Sequence, residues 1–286
     1  MAHADQSRFK STIIGPSFAR APESLPVEPV PEPAAAHAVP PQTALPQTTV
    51  ILRKDEMRQG PLAVRSAGSH SMVIEAVTLP RKLDPRLVML DGSATRQARA
   101  FRLLRHRLLS LGDPRIIAIS SAEPGEGKTT CAANLAFALA DETFARVLLI
   151  EANLRRPAFG PLFGYTPAPT FMDRLVQHRD ATPPYPVAGV AGTRLHLAAL
   201  PPAGSPAARL DRLLLGVVLQ DLRSAYDYIV IDSAAVLESA DAEVVGGCSD
   251  GVLLVARTKH SRASALHRAM AELSPSKVMG SVLLDA

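Results

Sequence analysis

The chain has no tryptophan, and aromatic residues make up 4% of its 286 positions. Surfaces that stack exposed bases lean on aromatic side chains, so a nucleic-acid partner is not expected. Cysteine is nearly absent too. Cys131 and Cys248 stand far apart, which rules out a disulfide framework and reads as two reduced core thiols. No stretch approaches the ~20 consecutive apolar residues of a membrane helix. Met1-Ala2-His3-Ala4-Asp5-Gln6 carries no apolar signal core. A cytoplasmic protein is the resulting expectation. The net charge of +4, with a pI near 9.3, suits phosphate or an anionic surface without proving either.

Hydrophobic residues, by contrast, reach 47%, enough for a sizeable core. Residues 16–46 are dense in proline, with Pro29, Pro31, Pro33, Pro40 and Pro41 among them. Such a segment buries too little to fold and reads as an extended tether. Ahead of it, Arg8–Gly15 is more apolar than a plain tail and could serve as a short docking motif. Residues 49–90 give no clear element. The reading is a disordered tail and linker over 1–92 and a folded domain over 93–286.

Within that domain, Thr95–Leu111 reads as an amphipathic helix with Phe101, Leu104 and Leu108 on one face. Its arginines, Arg96, Arg99, Arg102 and Arg105, read as solvated surface. Strands are expected at Ile116–Ser120, Val147–Glu151, Leu195–Leu200, Tyr228–Asp232, Gly251–Arg257 and Met279–Leu284. Helices are expected at Thr129–Ala140, Phe171–Gln177, Pro206–Ser224, Ala240–Gly246 and Ser261–Leu273. Near-continuous apolar strands alternating with helices indicate an α/β, doubly wound, mainly parallel sheet.

The chemistry concentrates after the first of those strands, in Ser120-Ser121-Ala122-Glu123-Pro124-Gly125-Glu126-Gly127-Lys128-Thr129-Thr130. A β-branched run, a glycine loop and Lys-Thr-Thr opening a helix make a cradle for phosphates. Backbone N–H groups and the helix dipole converge there. Ala122 stands where the first glycine of a phosphate loop usually stands. A dinucleotide turn is the competing reading, but Thr130 breaks G-x-G-x-x-G and Lys128 sits inside it. A nucleoside triphosphate with Mg²⁺ is thus the expected ligand, with Ala122–Thr130 around it, Lys128 on the β/γ-phosphates and Thr129 on the metal. Two strands end in acids at the carboxyl side, where α/β ligands bind: Asp232, read as a metal ligand, and Glu151.

These motifs resemble the bacterial tyrosine kinases (BY-kinases). Ser121–Thr129 is similar to that family's Walker A, Val147–Pro157 to its Walker A′, Asp227–Asp232 to its Walker B and Asp241-Ala242 to the pair that follows. Phe101–Arg105 and Lys277–Leu284 are similar as well. The resemblance spans Thr95 to the C-terminus. It implies a deviant P-loop fold that binds ATP·Mg²⁺, forms head-to-tail homo-oligomeric rings and phosphorylates tyrosines. It also implies an inner-membrane polysaccharide chain-length (co-polymerase) protein as partner, which would bring the chain to the membrane periphery. Catalytic roles carry over to Lys128, Asp232 and Glu151, the last meeting the tyrosine hydroxyl.

Several positions depart from the family pattern. Glu151 and Asn153 replace two aspartates, Ser233-Ala234-Ala235 replaces Thr-Pro-Pro, and Arg99 replaces the Glu of Glu-x-x-Arg-x-x-Arg. No tyrosine follows Tyr228. Among Tyr165, Tyr185, Tyr226 and Tyr228, the proline-flanked Tyr165 and Tyr185 are the expected acceptors. The alternatives are an ATP-binding pseudokinase of the same machinery and a ParA/MinD-type ATPase, the latter lacking here its early loop lysine.

Overall fold

Alternate residues of the central strands enter two separate cores, and that alternation builds the molecule. In the computed structural model, which describes residues 11–14, 62–65, 71–90, 95–142, 145–177, 182–201, 209–274 and 277–285, the elements in chain order are β1 (Ser11–Ile14), β2 (Leu62–Arg65), β3 (Ser71–Val77), α1 (Arg96–Ser110), β4 (Ile116–Ser121), α2 (Lys128–Glu142), β5 (Val147–Glu151), α3 (Phe159–Phe163), α4 (Phe171–Val176), β6 (Tyr185–Val190), β7 (Leu195–Ala198), α5 (Arg212–Leu222), β8 (Tyr228–Asp232), α6 (Asp241–Cys248), β9 (Gly251–Arg257), α7 (Ala263–Glu272) and β10 (Val278–Leu284). They form one ten-stranded sheet in the order β1-β10-β9-β4-β8-β5-β7-β6-β3-β2. From β10 to β7 every pairing is parallel. Antiparallel pairs join β1 to β10, β6 to β7 and β2 to β3.

Ile117, Ile119, Leu149 and Val230 pack with Phe101, Leu104, Leu108 and Leu135 under α1 and α2. Ile116, Ala118, Leu148 and Ile231 face the other way, onto Leu215, Val218 and Leu219 of α5. Helices on both faces of a mainly parallel sheet are the doubly wound fold the sequence implies. The strand order puts β4 between β8 and β9, and the loops after these strands share one crevice, the usual ligand position.

Five elements escape the sequence reading, β1, β2, β3, α3 and β6. The hairpin strand β6, the short helix α3 and the strand β3 are too brief or too interrupted to show a period. β3 runs parallel to β6, pairing Met72 with Tyr185 through Val77 with Val190. Leu87 is 1% exposed. The domain therefore begins well ahead of Ser93, correcting the expected boundary. Asn134 of α2 clasps this segment, its amide donating to the Arg86 carbonyl at 2.7 Å and its Oδ1 accepting from Met89 N–H at 3.1 Å. Ser11–Ile14, inside the apolar N-terminal stretch, joins the sheet's edge beside β10. The proline-rich segment 16–46 lies outside the described residues.

Helix boundaries shift where side chains intervene. α5 starts at Arg212 because the Asp211 carboxylate accepts from Leu213 and Leu214 N–H at 2.8 and 3.0 Å, a standard N-cap. Cys131 is fully buried, and burial pushes its thiol up to about 12. Cys248 is only half-buried, contrary to the expectation of two core thiols.

Candidate nucleotide and phosphoryl-transfer site

The loop between β4 and α2 closes on its own side chains. Ser121 Oγ donates to the Glu123 carbonyl at 2.7 Å, and Glu123 N–H donates to Glu126 Oε2 at 2.8 Å. Ser261, just before α7, donates its hydroxyl to Glu126 Oε1 and accepts from Arg257 N–H at 2.7 Å. Glu126 thus ties the phosphate loop to the turn after β9, and it is 1% exposed. Gly127 adopts φ +92, and a Cβ there would stand 2.5 Å from Leu284 Cδ1. Only glycine fits that conformation and that space. Ala122, where a phosphate loop usually has its first glycine, is 1% exposed with its methyl group packed in the core.

A cleft of about 270 Å³ opens over this loop, walled by Gly125, Gly127, Lys128, Thr129, Thr130, Ala158, Arg86, Arg257 and Leu284. Six of these nine come from the expected phosphate motif or lie beside it in the family-like C-terminal run. Arg86, Arg257 and Ala158 do not. Arg257 ends β9 and was recoverable by the strand-end rule applied to Asp232. Arg86 had no such signal: Asp84 grips its guanidinium, Nε to Oδ1 at 2.9 Å and Nη2 to Oδ2 at 2.7 Å, and only the fold brings that pair to the cleft.

Asp232 is the decisive carboxylate. It is fully buried, and neither oxygen has a hydrogen-bond partner. Burial pushes its pKa up to about 7, against the pull of the Lys128 ammonium and the Thr129 hydroxyl beside it. A buried, unpartnered carboxylate next to a hydroxyl and an ammonium fits a divalent cation carried in with a triphosphate.

Glu151 pairs in register with Asp232 on the adjacent strand, but its side chain is otherwise engaged. Its Oε1 accepts from Ala158 N–H and from Phe159 N–H, the latter at 2.8 Å, and its Oε2 accepts from Leu200 N–H at 2.9 Å. It is 0% exposed, and burial raises its pKa despite those three donors. A carboxylate held this way anchors the entry to α3 and the end of β7. The expected contact with a tyrosine hydroxyl would have to compete with these three bonds. Asn153, 4% exposed, leaves its Oδ1 without a partner nearby. Asp241 likewise serves the fold, accepting from Leu210 N–H at 3.1 Å and from Ser239 Oγ at 2.9 Å.

Arg155 donates to the Glu238 carbonyl at 3.1 Å and Arg156 pairs with the Glu238 carboxylate at 3.1 Å, clamping the loops after β5 and β8 together. On α1, Arg96 and Arg99 are exposed as expected. Arg102 and Arg105 instead serve α2: the first pairs with Asp141 at 3.6 Å, and the second donates to the Ala138 carbonyl at 3.0 Å.

No protein-family model matches the chain. The succinoglycan biosynthesis transport protein ExoP of Rhizobium meliloti (strain 1021) is 33% identical over 230 residues, 76% of this chain but 28% of that protein. The tyrosine-protein kinase YwqD of Bacillus subtilis (strain 168) is 31% identical over 173 residues, covering 58% of this chain and 70% of the kinase. The chain belongs to the bacterial tyrosine kinase family. The VpsO kinase domain superposes with a TM-score of 0.55 at 27% identity, over 65% of this chain and 93% of that one. The kinase domain of Escherichia coli ETK, at 23% identity, shares the fold with a TM-score of 0.56 over 71% and 81%.

For a bacterial tyrosine kinase, the placement of its own tyrosines matters. Tyr185 is 1% exposed in β6 and donates to Asp221 Oδ2 at 2.8 Å. Tyr226 is 3% exposed, its hydroxyl 2.8 Å from His196 Nδ1. The Tyr165 hydroxyl is enclosed without a partner, and burial raises its pKa. Tyr228 donates to Asp113 Oδ1 at 2.9 Å. Of the two expected acceptors in proline-flanked loops, Tyr165 does stand in a loop but with its hydroxyl enclosed, and Tyr185 instead stands in β6 with its hydroxyl bonded.

Proposed function

We propose that this domain is an ATP-dependent protein-tyrosine kinase of exopolysaccharide chain-length control and export. Its partner would be an inner-membrane chain-length protein, and its oligomers would form through copies of this chain. The observation that carries the reading is Asp232, buried and unpartnered beside Lys128 and Thr129 at a glycine loop of phosphate-binding shape. Family membership and the printed names of ExoP and YwqD support the biological setting. Among the described residues no helix is long and apolar enough to cross a membrane, which fits a chain brought to the bilayer by its partner.

In this reading Lys128 reaches the β/γ-phosphates, backbone N–H groups of Gly125–Thr130 cradle them, and Thr129 with Asp232 holds the cation. Bound magnesium would neutralise charge on the phosphate oxygens. Phosphoryl transfer passes through a loose transition state that depends on positioning and charge more than on proton abstraction. The inward-turned Glu151 is therefore compatible with transfer as a residue that positions the Ala158 wall.

Lys128→Met should abolish Mg·ATP binding in calorimetry while leaving the melting curve intact; unchanged affinity would sink the proposal. The pseudokinase reading draws on Glu151 and Asn153, which leave no Walker A′ acid facing the cleft. ATP binding with no phosphotyrosine on any acceptor would favour it.

A further inference from the structure

Resting on the kinase reading, we infer that the acceptor tyrosine lies outside these 286 residues, on an acidic segment that approaches the rim formed by the β9–α7 turn. All four tyrosines of the chain are accounted for. Tyr185 and Tyr226 are buried with their hydroxyls bonded, and the Tyr165 hydroxyl is enclosed. Tyr228 starts β8, whereas Asp232 ends it. A strand of that length separates the Tyr228 backbone from the Asp232 backbone by about 13 Å. Tyr185 and Tyr226 would have to leave the core to meet a phosphate cleft, Tyr165 would have to leave its enclosed loop position, and Tyr228 stands at the far end of β8 from its own cleft.

The rim points to what does. Arg257 and Arg86 line the cleft. Lys259, His260 and Arg262 follow on the same turn, all exposed. Ser261 pins this turn to Glu126 of the phosphate loop, so these cations keep a set position beside the nucleotide. Of the acids nearby, Asp84 pairs with Arg86, Asp285 accepts from the Thr258 hydroxyl at 2.7 Å, and Glu126 is held inside the loop. A tyrosine flanked by carboxylates complements that rim. The acceptor's phenolic oxygen bonds to the γ-phosphorus as the bridging oxygen departs with ADP, and the phenolic proton passes to water.

The test incubates the 286-residue chain with Mg·ATP, alone and with synthetic peptides carrying one tyrosine among glutamates or among lysines, and maps phosphate by mass spectrometry. The expected result is no phosphate on Tyr165, Tyr185, Tyr226 or Tyr228 and preferential phosphorylation of the glutamate peptide. Lys259→Glu with Arg262→Glu should lower kcat/KM for that peptide about tenfold at saturating ATP, while the lysine peptide loses nothing. Phosphotyrosine on the folded chain, or a peptide preference that ignores both charge reversals, overturns the inference. ATP binding with neither chain nor peptide phosphorylated instead overturns the kinase reading beneath it. Matching melting curves of variant and parent exclude misfolding.

Discussion

In the proposed role, Asp232 places functional and structural demands on the same two oxygens. In the folded chain its pKa is pushed up to about 7 from an ordinary 3.8, with burial the largest cause. A carboxyl whose folded pKa is raised favours the fold below its unfolded pKa, and that contribution is lost as pH rises through the folded value. The nucleotide-free protein should therefore lose stability between about pH 4 and pH 7 at this residue. Asp232→Asn removes the buried anion, so at pH 8 the variant should melt higher than the parent by about 5 °C. The gap should close towards pH 4. Mg·ATP should raise the melting point of the parent and not of the variant, since only the parent offers the cation an anionic partner. Calorimetric scans across pH, with and without nucleotide, check both signs, and a pH-independent gap would contradict them.

At the scale of elements, Glu151 joins the end of β5 to the entry of α3 and the end of β7. Glu151→Gln keeps one acceptor oxygen and puts an NH₂ against backbone N–H donors that remain buried. Each buried donor left unsatisfied costs about 1–3 kcal/mol, so a drop of about 4–8 °C in melting temperature is expected. Were Glu151 a solvent-facing base, the same change would stop transfer and leave the melting point alone. The Glu126–Ser261 bond is a second such link, between the phosphate loop and the turn before α7. Glu126→Ala and Ser261→Ala should each weaken Mg·ATP binding, and the double variant should be no weaker than Glu126→Ala. Additive losses in a double-mutant cycle would show that the two side chains act separately.

For the whole molecule, the start of the domain is the point at issue. A chain beginning at Ser93 loses β3 from its place beside β6, the buried Leu87 and the clasp of Asn134 on Arg86 and Met89. It should melt at least about 10 °C below a chain beginning at Ser71, because a strand and its apolar cover are removed together. Deleting residues 16–46 alone, by contrast, should shift the melting point by no more than about 2 °C, as composition implies for a tether. A large loss from that deletion would mean the segment packs on the domain.

Much of this protein was determined locally and is therefore legible in its sequence. The central parallel strands are near-continuous apolar runs that must be buried on both faces, and β4, β5, β8 and β9 stand where those runs predict. The phosphate loop is equally local, because its conformation depends on Gly125, Gly127 and the helix that begins at Lys128. Asp232 belongs with them, as an acid at a strand end beside that loop. The tertiary structure alone decided the rest. Side chains that cross between elements have no sequence period: Asn134 holding a segment before α1, Asp84 delivering Arg86 to the cleft, Glu126 reaching Ser261. Glu151 stands at a strand end just as Asp232 does, and no local pattern tells them apart. What separates them is that three backbone N–H groups, from Ala158, Phe159 and Leu200, arrive at Glu151 only when α3 and β7 pack, while no backbone N–H arrives at Asp232, which has the Lys128 ammonium and the Thr129 hydroxyl beside it.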